Sequence, residues 1–143
     1  MRKLPASCLA MLALAGIGCT AAPATARERL TGEQQLAKML QGRQAGAPVD
    51  CVSIISLGSS TVIDKTAIVY DSGSVLYVNR TDAPDQLASD DILVTKTSLD
   101  QLCHLDIMQL RDRAGGFYRG SVGLGQFVPW TRVPKDGGAK SGH

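Results

Sequence analysis

The chain has 143 residues, of which 20% are charged and 44% hydrophobic, and its formal net charge is +2. Two of its 15 basic residues, Arg2 and Lys3, fall in an opening segment that reads as a leader, which leaves 13 basic against 13 acidic residues. A neutral chain with no basic block lacks the surplus cation that displaces counterions from phosphates, so nucleic acid is excluded as a partner.

Met1-Arg2-Lys3 is a short basic start, Leu4 to Gly18 is apolar almost throughout, and the small residues that follow end in Ala24-Thr25-Ala26 before Arg27. A charged start, an apolar run of about 7–15 residues and an A-x-A close are the parts of a secretory signal peptide, here 1–26 with cleavage after Ala26. The run falls short of the roughly 20 residues a membrane helix needs, so no membrane span is expected. Cleavage leaves 117 residues, enough for one domain with one modest core, in a periplasmic or secreted product. Cys19 leaves a second route open. Gly18 suits the position before a lipidated cysteine, whereas Gly16, three residues before it, suits it poorly. Lipid on Cys19 would anchor the protein to the cell envelope, with Thr20 to Arg29 as a tether.

Residues 27–49 read as a helix and linker. Thr31 is a good N-cap and Gln34 completes a capping box, while Leu36, Met39 and Leu40 share one face and Gly42 stops the helix. Residues 50–133 read as a β domain. Cys51 to Leu57 is a β-branched run ended by Gly58; Thr61–Ile63 and Thr66–Tyr70 are strands about an Asp64-Lys65 bend. Asp71-Ser72-Gly73-Ser74 is a hairpin turn leading into a strand from Val75 to Asn79. Thr81 to Asp91 reads as a surface loop, Ile92–Thr97 as a strand, and Ser98–Leu102 as one helical turn carrying Leu99 and Leu102 inward. Strands follow at Asp106–Arg111, Phe117–Ser121 and Gln126–Trp130, with a turn at Gly115-Gly116, and residues 134–143 read as a disordered tail. The fold expected is mainly β: a small antiparallel barrel or sandwich of six to seven short strands with one N-terminal helix.

Of the four cysteines, Cys8 and Cys19 lie in the leader. Cys51 and Cys103 share the small exported domain, where an oxidising compartment favours a disulfide; two separately buried thiols are the alternative the spacing leaves open. Closing a loop of about 50 residues would contribute about 4 kcal/mol on the chain-entropy view.

No residue set demands chemistry. Cys103-His104-Leu105-Asp106 places thiol and imidazole side by side in sequence, where side chains point apart, and Asp106 suits a backbone cap at a strand start. Asp82, Asp85, Asp90 and Asp91 lack the spacing and glycine of a calcium loop and read as solvated. Two histidines, one of them His143 in the tail, leave no zinc set, so no metal and no cofactor are expected. Gly120, Gly123 and Gly125 form G-x-x-G-x-G, but a strand follows where a phosphate loop needs a helix, so a bulge or tight bend is the better reading. Asn79-Arg80-Thr81 is a glycosylation sequon that a bacterial-type context leaves unused. Trp130 reads as core or edge cover before it reads as a binding aromatic.

Cys51-Val52, Ile63-Asp64, Tyr77-Val78-Asn79, Leu102-Cys103 with Asp106, and Gly123-Leu124-Gly125-Gln126-Phe127 follow one another in an order and spacing that resembles an uncharacterised family of small exported bacterial proteins, the domain of unknown function 6491 family. The resemblance spans Asp50 to Pro129. Family members often carry two further cysteines, at places held here by Pro84-Asp85 and Ser121-Val122. Joint loss of both implies that they pair with each other, leaving Cys51 with Cys103; pairing of each lost cysteine with a remaining one would undo that bridge. The resemblance implies no activity, ligand or catalytic residue. The functional expectation is a non-catalytic domain that binds or braces an unknown envelope partner. The alternatives are a small exported hydrolase using Asp64, Asp71, His104 or Asp106, and a lipoprotein anchored through Cys19.

Overall fold

The computed structural model describes residues 29–134 other than Ser98. The leader with its Ala26 cleavage site, Cys19, Ser98, and the tail after Pro134 lie outside the described residues.

A single α-helix, α1 (Gly32–Met39), opens the described chain, with the expected capping box. The Gln34 backbone N–H donates to the Thr31 hydroxyl, and the Gln34 carboxamide accepts from the Thr31 N–H. The chain leaves the helix through Gly42, whose φ of 71° is the left-handed stop the sequence suggested.

Ten strands follow: β1 (Arg43–Ala45), β2 (Cys51–Ser53), β3 (Ser59–Ile63), β4 (Ala67–Ser72), β5 (Val75–Asn79), β6 (Ile92–Thr95), β7 (Gln101–Cys103), β8 (Ile107–Arg111), β9 (Tyr118–Gly123) and β10 (Phe127–Arg132). They form three antiparallel sheets, ordered β1-β10-β5-β4-β3, β2-β7 and β6-β8-β9. No sheet closes on itself into a barrel among the described residues.

Period-two alternation sends successive side chains to opposite faces of the five-stranded sheet. Ile63, Ala67, Val69, Leu76 and Val78 face Leu36 of α1 and Leu40 at its C-cap. Val62, Ile68, Tyr70 and Phe127 face the other way, onto Leu102 of the two-stranded sheet and Met108, Leu110 and Val122 of the three-stranded one. The Tyr70 and Phe127 rings meet there at 5.8 Å between centroids, tilted by 55°.

The differences from the sequence reading have local causes. The described residues hold ten strands where six or seven were expected, and β1 and β7, three-residue pieces too short to carry a hydrophobic pattern, are the ones the sequence did not announce. β1 lies inside the expected linker; its residues are polar or small, and it exists because Arg43, Gln44 and Ala45 pair with Arg132, Thr131 and Trp130. The expected Cys51–Leu57 strand stops at Ser53 and turns into a 3-10 segment, Ile54–Ser56, with the Ser56 hydroxyl donating to the Ser53 carbonyl. The expected helical turn before Cys103 is a strand at Gln101–Cys103, which puts Leu102 inward and leaves Leu99 exposed. The Thr81–Asp91 stretch is more than a surface loop. A 3-10 turn at Pro84–Gln86 seats Leu87 in the core, and Thr81 and Asp91 are buried.

Candidate functional site

Cys51 and Cys103 stand directly opposite in the β2–β7 register and are joined at disulfide distance. Backbone hydrogen bonds from His104 to Asp50 and from Ile54 to Asp100 flank them. The cysteines therefore occupy a non-hydrogen-bonded pair, the place where antiparallel strands bring side chains closest. The Asp106 carboxylate accepts from the Cys103 N–H at 2.7 Å, the strand-start cap expected of it.

The other landmark residues meet at the same corner. β9 belongs to the three-stranded sheet and β10 to the five-stranded one, so Leu124-Gly125-Gln126 carries the chain between sheets. Asn79, at the end of β5 and fully buried, donates its amide to the Gly125 carbonyl at 2.7 Å and accepts from the Gly125 N–H at 3.0 Å. Asp82 repeats the device: its carboxylate accepts from the Gly123 N–H and its own N–H donates to the Gly123 carbonyl. Leu124 exchanges backbone bonds with Leu105 and Asp106 beside the disulfide. The glycines are set by proximity, since a Cβ on Gly125 would lie 2.1 Å from the Arg80 carbonyl oxygen. Gly123 and Gly125 thus form a tight crossing and hold no phosphate-loop geometry, and the buried Asn79 amide is out of reach as a glycosylation acceptor.

The residues weighed for hydrolysis are not brought together. Asp71 lies in β4 and Asp64 in the turn before it, at opposite ends of the β3–β4 pair and about 15 Å apart at about 3.3 Å per residue. Asp64 accepts from the Ser89 N–H, and Asp71 from the Gly73 N–H within the β4–β5 turn, where Gly73 takes the expected positive φ of 69°. His104 and Asp106 sit in the β7–β8 turn. The four loop aspartates do not cluster as calcium ligands either. Asp82 grips Gly123, while Asp91, buried, accepts from Ala88 and pairs with Arg119. No group of three metal-ligating side chains gathers among the described residues.

The feature with the shape of a binding site is a groove of about 560 Å³ between α1 and the five-stranded sheet. Its floor is the buried Leu36, Leu40 and Val78, and its more open walls are Ala37 on α1 and Val128 and Trp130 on β10. This volume lies within the roughly 300–1,000 Å³ of small-molecule sites. Its polar groups gather where Arg80 leaves β5. The Arg80 guanidinium donates to both Glu33 carboxylate oxygens, at 2.6 and 2.9 Å. That hydrogen-bonded pair, with the cation's field added, holds the Glu33 carboxyl below its ordinary 4.5. Gln126, the remaining polar wall residue, donates to Asp50.

The groove was invisible in the sequence reading, because its walls come from three separated segments. Trp130, read there as core or edge cover, is half-buried and does both, packing on the helix-side core and lining the groove. No helix among the described residues is long and apolar enough to cross a membrane. No family model, curated protein or solved structure matches the chain.

Proposed function

We propose that the protein is an exported, non-catalytic binding domain of the cell envelope, and that the groove beneath α1 is its binding surface. The observation that carries this reading is the composition of the groove: six apolar side chains, the Gln126 amide and a single charged pair, Glu33–Arg80, with no nucleophile among them. Such a lining can desolvate and hold an apolar group, and it offers no base or acid aimed at a bond. The leader-like opening and the Cys51–Cys103 bridge support a periplasmic or secreted location, where thiols oxidise. Lipid on Cys19 is compatible with the same role and would fix the domain at a membrane surface.

The architecture we infer is a sandwich: the five-stranded sheet is one layer, the two shorter sheets form the other, and α1 covers part of the outer face. The landmarks Cys51, Asn79, Cys103, Asp106, Gly123 and Gly125 converge on the corner that joins the layers. Their role in the resembled family is, on this reading, to set the fold.

The test compares the oxidised protein with Ala37→Phe, which fills the groove from an exposed helix position. Capture of an envelope component by the tagged protein should be lost in the variant while the unfolding midpoint stays put. Undiminished capture, together with turnover of any substrate, would overturn the reading.

A further inference from the structure

The groove is asymmetric. Its floor is the buried Leu36, Leu40 and Val78, its accessible hydrocarbon is that of Ala37, Val128 and Trp130, and its charged groups are the Glu33–Arg80 pair where α1 begins and β5 ends. Arg80 already presents two N–H groups to a carboxylate in the side-by-side geometry that guanidinium favours. The carboxylate now seated there belongs to Glu33, whose side chain is 65% exposed. An exposed pair of this kind is worth about 0–1 kcal/mol, so exchanging one carboxylate for another there costs little.

We propose that the groove binds a single-chain amphiphile ending in a carboxylate, its alkyl body along Ala37, Val128 and Trp130 and its head group on Arg80 in the place of Glu33. This deepens the reading of the groove as a binding surface and rests on it. Two features favour an anionic head over a cationic one. A displaced Glu33 stays in the first turn of α1, where the helix N-terminus and water both accommodate negative charge. A cationic head would instead take Glu33 and leave the Arg80 guanidinium at the groove without a counter-ion. Arg80 is also the better-anchored partner. It follows Asn79 directly, and its backbone is pressed against Gly125, so the corner that joins the sheets fixes where the cation stands.

Trp130 is the only tryptophan of the chain and lines the groove, so its fluorescence reports occupancy. Octanoate, octan-1-ol and octylammonium are titrated into the oxidised protein and into Arg80→Gln and Glu33→Gln. Octanoate should bind at least about tenfold tighter than either of the others, a difference of about 1.4 kcal/mol. Arg80→Gln should lower octanoate to the level of octan-1-ol. Glu33→Gln should tighten octanoate, because it removes the built-in competitor, whereas a merely structural role for the pair predicts that both variants act alike. Equal binding of the three probes, an unchanged octanoate affinity in Arg80→Gln, or no Trp130 response to any probe would overturn the proposal. If octan-1-ol binds as well as octanoate and Ala37→Phe abolishes both, the head group is wrong and the groove still binds. If calorimetry shows that Ala37→Phe leaves binding intact, the groove is not the site.

Discussion

Asn79 holds Gly125 by both of its backbone groups: one side-chain amide gives and receives a hydrogen bond across 46 residues of chain. An amide side chain is the one neutral group that can imitate a neighbouring strand in this way. Asn79 lies opposite Phe127 in the β5–β10 register, so the grip falls where the ladder ends and the chain turns toward the other sheet. With Asp82 on Gly123 and the disulfide beside it, the corner ties the three sheets together.

Asn79→Ala should therefore destabilise the protein by about 2–4 kcal/mol, since it strands the N–H and C=O of Gly125 without partners in a half-buried site. Gly125→Ala should cost at least as much, because the added methyl meets the Arg80 backbone and not a yielding side chain. Urea unfolding checks both through the midpoint at constant slope. A loss below about 0.5 kcal/mol for either would match an ordinary surface change.

Reducing the Cys51–Cys103 bond, or replacing both cysteines by serine, should lower stability by about 4 kcal/mol, the chain-entropy value for a separation of 52 residues. Thermal unfolding with and without reductant measures it. No shift on reduction would mean that the bridge does not brace the fold.

The Tyr70 hydroxyl is buried without a hydrogen-bond partner among the described residues, and burial pushes its ionisation well above the ordinary value of 10. A folded-state pKa raised above the unfolded one gives stability that is complete below pH 10 and is lost as pH climbs beyond it. Tyr70→Phe should be neutral or stabilising by about 1 kcal/mol near pH 7 and should flatten the alkaline fall in stability. A marked loss of stability at neutral pH would show that the hydroxyl has a partner after all.

Glu33 runs the other way. Its carboxyl is held below 4.5 by Arg80, so its contribution is present above that pH and disappears as pH falls through the lowered folded value. The pair is exposed, which limits the effect to about 0.5 kcal/mol. A double-mutant cycle of Glu33→Gln and Arg80→Gln, measured at pH 7 and pH 3, should show weaker coupling at the lower pH. Equal coupling at both would remove the ion pair as its cause.

Short-range chemistry was legible in the amino-acid sequence, and long-range partnership was not. Thr31 and Gln34 declare their cap within four residues, and Gly73 declares its hairpin. The Cys51–Cys103 pairing was the expectation for two cysteines in one small domain read as exported, with separate thiols as the alternative, and the structure joins them. β1 left no trace, because an edge strand of Arg43, Gln44 and Ala45 carries no apolar alternation and is created by β10. Leu99 and Leu102 imitate a helical i, i+3 face, yet the pairing of Gln101–Cys103 with β2 overrides that local preference. Asp91 looked solvated among its acidic neighbours, since Arg119, which pairs with it, stands 28 residues away. The groove needs α1, β5 and β10 side by side before it exists at all.

Asn79, Asp82, Gly123, Gly125 and the Cys51–Cys103 bridge build a joint between sheets, and the reading proposed above assigns function to the groove. Native-state hydrogen exchange at the Gly123 and Gly125 amides tests that division most directly. Both N–H groups are held by side chains, those of Asp82 and Asn79, at the end of β9 and in the turn just after it. If the corner is a structural joint, the two amides exchange only through openings close in free energy to global unfolding. Exchange at the rate of an exposed loop would contradict it.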